Sequence, residues 1–207
     1  MRETITMREW EYGILLPQND KVFLSGFLGQ KWQFAYENKG KRYNKSLMVV
    51  ERPDGNLDEV PIVVPEKTSE LVEKFDYFGL CGTVKTWNNH SFGTNRLEVY
   101  VFGIYIDVHD VWTNRNSVFL EGNLCKAPRY KITQNGGVTD FILAVNPSPK
   151  ARPAYIPCVA WKQDAWDIAS LPVGARIRVK GHFRSREFWK DEKIHVAHEV
   201  STCCVMV

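Results

Sequence analysis

The sequence predicts an all-β protein of two tandem five-stranded barrels, each with a short helix between its third and fourth strands. Three observations lead there. First, Asn116-Ser-Val-Phe-Leu-Glu-Gly-Asn-Leu124 carries a core, Val-Phe-Leu-x-Gly-x-Leu, already present in Asn19-Asp-Lys-Val-Phe-Leu-Ser-Gly-Phe-Leu28. Second, later features keep the same separation. Val60-Pro-Ile-Val-Val64 answers Ile156-Pro-Cys-Val-Ala160, and Gly82 answers Gly181 with a slip of about three residues, as a change in loop length gives. Third, each copy orders its segments alike, with a polar, helix-compatible run at 66–75 and again at 162–170.

Residues 1–18 form an N-terminal extension, in which Trp10 to Leu16 suits an added strand before Pro17 and Asn19-Asp20 turn the chain. The first barrel, residues 19–111, reads as strands at about 20–28, 45–51 and 59–64, the helix, then strands at 78–87 and 96–108. A polar connection follows its first strand, Pro53-Asp-Gly55 marks a turn, and 88–95 is a polar loop. Trp112 to Asn116 is a linker too short to let the halves wander. The second barrel, residues 116–207, repeats the order: strands at 117–125, 138–146 and 155–161, the helix, then strands at 175–188 and 193–201. A Pro-rich connection, 147–153, joins its second and third strands. Five strands with a helix between the third and fourth is the order of the OB-fold, a small barrel used for oligonucleotides. Glycines inside the first and fourth strands suit it, because Gly permits bulges and sharp bends.

At 207 residues the chain suits two small domains, whose modest cores call for a broad contact between them. No apolar run reaches membrane-spanning length, and Met1 to Trp10 lacks a signal-peptide core. Five cysteines without a Cys-x-x-Cys pair indicate reduced thiols in a cytoplasmic protein, not a disulfide framework or zinc site. His195 and His198 lie three apart in a strand and so face opposite ways, which argues against a shared metal. No metal and no cofactor is expected. Nor is catalysis: a phosphate loop, a Gly-x-Ser-x-Gly elbow and a zinc helix are all missing. The net charge of +3 hides an asymmetry: residues 1–110 carry 13 Lys and Arg against 16 Asp and Glu, residues 111–207 carry 14 against 8. A polyanion would meet the second half.

There the strand from Ala175 to Glu187 alternates. Arg176, Arg178, Lys180, His182, Arg184 and Arg186 share one face; Ala175, Ile177, Val179, Gly181 and Phe183 share the other. Five fixed positive charges with no acid between them repel one another and need a reason, although most charged strand faces are merely solvated. A bulge at Gly181 would send the ends of this ladder to different faces. Tyr155 and Trp161, six apart in one strand, point the same way. Phe188 and Trp189 end the basic strand, and Arg129, Tyr130 and Lys131 sit in the first loop. Bases stack on aromatics while cations track phosphates in single-strand binders. Each ring taken alone reads equally well as core packing.

These motifs resemble bacterial single-stranded DNA-binding proteins of the OB-fold class, over about 85 residues of the second copy. Asn116 to Leu124 resembles their opening strand, Phe141 to Asn146 their second, Tyr155 to Trp161 their third and Gly174 to Arg186 their fourth. The resemblance puts Tyr155, Trp161 and Phe188 or Trp189 on stacking positions. It implies sequence-independent binding of single-stranded DNA in replication, repair or recombination, and, from families that assemble four barrels, a homodimer. The first copy departs, with Glu59 and Val64 or Pro65 where Tyr155 and Trp161 stand. Its auxiliary candidates are Trp32, Tyr36, Arg42 and Trp87. The chain ends Ser201-Thr-Cys-Cys-Val-Met-Val207, without the family's acidic tail, so partner recruitment by that route is not expected. The alternative is an OB-fold assembly protein resembling the primosomal factor, with protein partners and secondary contact to nucleic acid. RNA stays open as a ligand, because stacking does not require or forbid a 2′-hydroxyl.

Overall fold

A computed structural model describes residues 16–73, 76–89, 96–108, 115–146, 152–190 and 192–206. The added strand before Pro17, most of the 88–95 loop, the linker at 112–116 up to Asn114 and most of the Pro-rich connection lie outside the described residues. The first barrel comprises β1 (Asp20–Leu28), β2 (Gln33–Asn38), β3 (Lys41–Glu51), β4 (Leu57–Pro65), α1 (Glu66–Ser69), β5 (Tyr77–Asn89) and β6 (Arg96–Asp107). The second comprises β7 (Asn116–Leu124), β8 (Arg129–Thr133), β9 (Gly136–Val145), β10 (Ala154–Trp161), α2 (Lys162–Ala169), β11 (Arg176–Lys190) and β12 (Lys193–Met206).

Two departures from the sequence reading concern local chemistry. The polar connections after β1 and β7 fold back as β2 and β8, short edge strands paired with β3 and β9. Lys39 and Gly40, with φ of 50° and 73°, make the first turn, and Gly136, at 107°, starts β9 after the second. All five residues of β8 are exposed, so no apolar alternation marks it in the sequence. The expected helix at 66–75 is a single turn. After Ser69 the N–H groups of Leu71 and Val72 reach back three residues instead of four. Asp76 Oδ2 then accepts the Glu73 N–H at 2.8 Å.

The barrels share one twelve-stranded sheet. Parallel pairing of β4 with β6 and of β10 with β12, together with β1–β3 and β7–β9 contacts, closes each barrel. Between the barrels β1 runs antiparallel to β7, with Val22 opposite Val118 and Asp20 opposite Leu120. Val22 and Val118 are the same residue of the repeat, so a pseudo-twofold axis passes between them. The registers obey it: Val22 pairs with Gly82 and Val118 with Gly181. Each barrel carries a bulge at the matching place, between Cys81 and Gly82 and between Lys180 and Gly181. At Gly26 and Gly122 a Cβ would strike the carbonyl oxygens of Val49 and Ala144, where β1 and β7 cross the barrel wall. That close approach explains the repeated glycine.

Val22, Leu24 and Leu28 bury against Phe78 and Leu80, as Val118, Leu120 and Leu124 do in the second barrel with Val179 and Phe183, within one continuous core. Each such side chain contributes roughly 1.5–3 kcal/mol by leaving water.

Candidate nucleic-acid interface

The basic strand keeps its alternation. Ile177, Val179, Gly181 and Phe183 are buried, and Arg176, Arg178, Lys180, His182 and Arg184 turn outward. The bulge does not split the ladder, because the extra residue is Cys203 of β12: Lys180 pairs with Cys204 and Gly181 with Thr202 while β11 runs on unbroken. The lack of interleaved acid holds along the strand and fails across it. Glu121 of β7 takes Arg176 at 2.6 Å and Arg178 at 2.8 Å. The Arg178 hydrogen bond, followed by that of Arg176, holds Glu121 below the usual carboxylate range. Glu199 of β12 lies 3.5 Å from Arg186.

Arg184 has a different use. Its guanidinium meets Asp58 of the first barrel at 2.7 Å, and Arg52 Nε meets the same carboxylate at 2.9 Å. Burial would raise the Asp58 pKa, but bonds from Arg52, the Ser185 N–H and Arg184 outweigh it and lower the value. A guanidinium spent on a fully buried carboxylate is a clasp between barrels, which corrects its place in the phosphate-binding set.

β10 is buried apart from its outward side, where Tyr155 is 46% and Trp161 42% exposed. Trp161 Nε1 donates to Ser201 Oγ at 3.1 Å, and Ser201 lies opposite His182. The row from Trp161 to the middle of the ladder therefore spans two strand spacings, about 10 Å. On the other side Trp161 pairs with Val138 and Val138 with Lys131, so Lys131 joins this face; its Nζ is 2.8 Å from Asp140. Arg129, opposite Asp140, shares that side of β8.

Tyr130 points to the other side of β8. Its ring meets Trp166 edge-on at 5.7 Å and fills the space that the missing Cβ of Gly137 leaves. Tyr130 itself stays 39% exposed. Trp166, 63% exposed, escaped the sequence reading. Ala165 and Ile168 are the buried side of α2, and helical spacing from them puts Trp166 outward. In the β11–β12 hairpin Phe188 stacks on His195 at 5.6 Å with Arg186 over its ring at 5.9 Å, while Trp189 is 75% exposed.

On the first barrel Glu59 and Pro65 stand where the repeat puts Tyr155 and Trp161. Rings nevertheless cover this face: Tyr43 lies between Tyr36, stacked at 4.8 Å, and Phe102 at 5.7 Å. Burial, and then the neighbouring Tyr36 and Glu98, push the Tyr100 phenol up to about 12. Arg42 pairs with Glu66 at 3.2 Å and lies over Phe34. Trp32 is a correction: its indole donates to the Val72 carbonyl at 3.0 Å and packs on the core, so it is no auxiliary contact. Trp87 is 62% exposed. Among the described residues no group of three His, Cys, Asp or Glu side chains could hold a metal, and no helix is long and apolar enough to cross a membrane.

Residues 115–205 match the single-strand binding protein family. Among solved structures, wild-type single-stranded DNA binding protein from Thermus aquaticus superposes with a TM-score of 0.70 at 22% identity, covering 90% of this chain and 91% of that one. A deletion mutant of that protein gives the same score and identity, with 90% and 93% covered. The N-terminal domain of PriB protein from Thermoanaerobacter tencongensis gives 0.39 at 22% identity, with 44% and 97% covered. No curated protein matches the chain in sequence. The Thermus likeness establishes the fold over both barrels.

Proposed function

We propose, for a chain whose residues 115–205 belong to the single-strand binding protein family, that it binds single-stranded DNA without sequence preference. It is a binding protein and not an enzyme. One observation carries the reading: Tyr155 and Trp161 stand exposed on a strand that is otherwise buried, on the strand 2–3 face of the barrel, beside the outward cations of β11. Bases would stack on the two rings, at about 1–3 kcal/mol each, and phosphates would follow Arg176, Arg178, Lys180 and Lys131. Arg129, Phe188 and Trp189 extend the contact at the two hairpins. Cover of this kind serves strands exposed in replication, repair or recombination, in the cytoplasm, and two chains would supply four barrels.

Titration of labelled oligo-dT tests the reading. Sub-micromolar affinity that weakens with salt is expected; near-millimolar affinity contradicts it. The second reading, an assembly protein with protein partners, draws on Glu59 and Pro65 in the first barrel, and near-millimolar affinity would favour it. Competition by oligo-rU reads out any preference between DNA and RNA.

A further inference from the structure

The bulge in β12 decides which way two cysteines face. Cys203 is inserted between the Gly181–Thr202 and Lys180–Cys204 pairs. Thr202 is buried and Val205 packs on the core. Alternation therefore turns Cys203 outward after Thr202 and Cys204 outward before Val205, and both are exposed. The first barrel repeats the device. Ile104 is inserted between the Gly82–Gly103 and Cys81–Tyr105 pairs, and Ile104 and Tyr105 are likewise both exposed. Matching places thus hold Ile-Tyr in one barrel and Cys-Cys in the other.

The pair adjoins the face assigned to nucleic acid. Cys203, with Trp161, Lys162, Gln163, Asp164 and Thr202, lines an open cavity of about 350 Å³. Two residues earlier, Ser201 Oγ accepts the hydrogen bond from the Trp161 indole. Cys204 lies opposite Lys180, and Cys203 Sγ donates to the Lys180 carbonyl at 3.4 Å. The other cysteines differ: Cys81 and Cys158 are buried and Cys125 is half-buried. Burial, with Glu199 adding to it, pushes the Cys158 thiol up. A cysteine reacts as its thiolate, and only where a reagent reaches it.

We infer that Cys203 and Cys204 form a thiol-modification site, where a low-molecular-weight disulfide such as glutathione disulfide attaches beside Trp161 and releases the single strand. The inference rests on the single-strand reading above. In the step a cysteine gives its proton to water and its sulfur attacks one sulfur of the disulfide. The S–S bond of the reagent breaks, a protein–glutathione S–S bond forms, and the other half leaves as a thiolate that takes up a proton. The protein sulfur is oxidised and the departing thiol is reduced. The attached tripeptide extends over the Trp161 ring and brings its carboxylates to Lys180, covering a stacking platform and a cation together. Excess thiol reverses the exchange, so binding follows the redox poise of the surroundings.

Glutathione disulfide added to the full wild-type chain tests it, with intact mass and peptide mapping measured beside affinity for oligo-dT. A glutathionyl group should map to Cys203 or Cys204 before any reaches Cys81 or Cys158. Affinity should then fall by about fivefold to a hundredfold, the stacking of one base, and return with dithiothreitol. Coupling is reciprocal, so in a glutathione redox buffer saturating oligo-dT should shift the balance of adduct and thiol toward thiol by the same factor. The double variant Cys203→Ser, Cys204→Ser should bind oligo-dT like wild type and ignore glutathione disulfide. The redox-buffer titration needs only wild-type protein and decides the matter if that variant folds poorly. An adduct that leaves affinity unchanged, adducts confined to other cysteines, or chains cross-linked to one another in place of the adduct would overturn the site and leave single-strand binding standing. Wild-type protein that takes the adduct but ignores oligo-dT overturns the binding reading, and the control of binding with it.

Discussion

Asp20 and Asn116 hold the same place in the two barrels, and a change of one functional group separates them. Asn116 Oδ1 accepts the Phe183 N–H at 2.8 Å and its Nδ2 donates to the Phe183 carbonyl at 2.7 Å, so both ends are satisfied. Asp20 Oδ1 accepts the matching Val84 N–H at 2.9 Å, but Oδ2 has no hydrogen-bond partner and Lys85 Nζ is 3.9 Å away. Burial, partly offset by the Val84 N–H and Lys85, lifts Asp20 from 3.8 to about 6. The folded state thus holds its proton where the unfolded state has lost it. This group's contribution to stability falls as pH rises from about 4 to about 6, and its full cost is present at pH 7. Asp20→Asn should copy Asn116, raising stability at pH 7–8 by about 1–3 kcal/mol and flattening the pH dependence between 4 and 6. Denaturant unfolding across that range measures it; a variant less stable at pH 7, with the slope intact, would show that the carboxylate is well served as it is. None of this was legible in the sequence, where Asp20 reads as part of a turn.

The strand β11 divides its cations between two tasks. Arg176 and Arg178 share one carboxylate and keep charge in excess, whereas Arg184 is bound to the opposite barrel through Asp58. About four phosphate contacts remain, at Arg176, Arg178, Lys180 and Lys131, which gives a slope of log K against log salt near −3, at about −0.7 per contact. Arg178→Ala should flatten it by about 0.7 with little change in melting. Arg184→Ala should leave the slope alone and lower the melting temperature by roughly 3–10 °C, as removal of one partner of a buried ion pair does. Salt titrations beside melting curves separate the two; equal slope changes from both would return Arg184 to the binding face. The alternation that placed these residues was readable because Ile177, Val179 and Phe183 bury one side. The acids that answer them come from β4, β7 and β12, at sequence distances no local pattern reveals. β2 and β8 were missed for a related reason, being edge strands with too little buried surface to leave an apolar period.

For the molecule as a whole, the repeat was legible down to its loop-length slip, because Gly26, Gly82, Gly122 and Gly181 sit where backbones meet and only Gly fits. What the repeat did not reveal is the contact it creates: β1 against β7, with each β-hairpin reaching the other barrel's third strand. On the first-barrel face Tyr43 packs between Tyr36 and Phe102, in place of the residues the second barrel offers. A dimer of such chains should appear in light scattering at twice 23.9 kDa over micromolar concentrations; a strictly monomeric mass would remove the four-barrel assembly.

The central claim is that the exposed rings of β10 are stacking platforms, and Trp161→Ala tests it most directly when affinity for oligo-dT and thermal melting are measured on the same preparation. Trp161 is 42% exposed and tied by one hydrogen bond to Ser201, so its removal should leave melting within a few degrees of wild type. Affinity should fall by about fivefold to a hundredfold at every salt concentration. A collapse in melting with binding lost in step, or affinity equal to that of wild type, would contradict it.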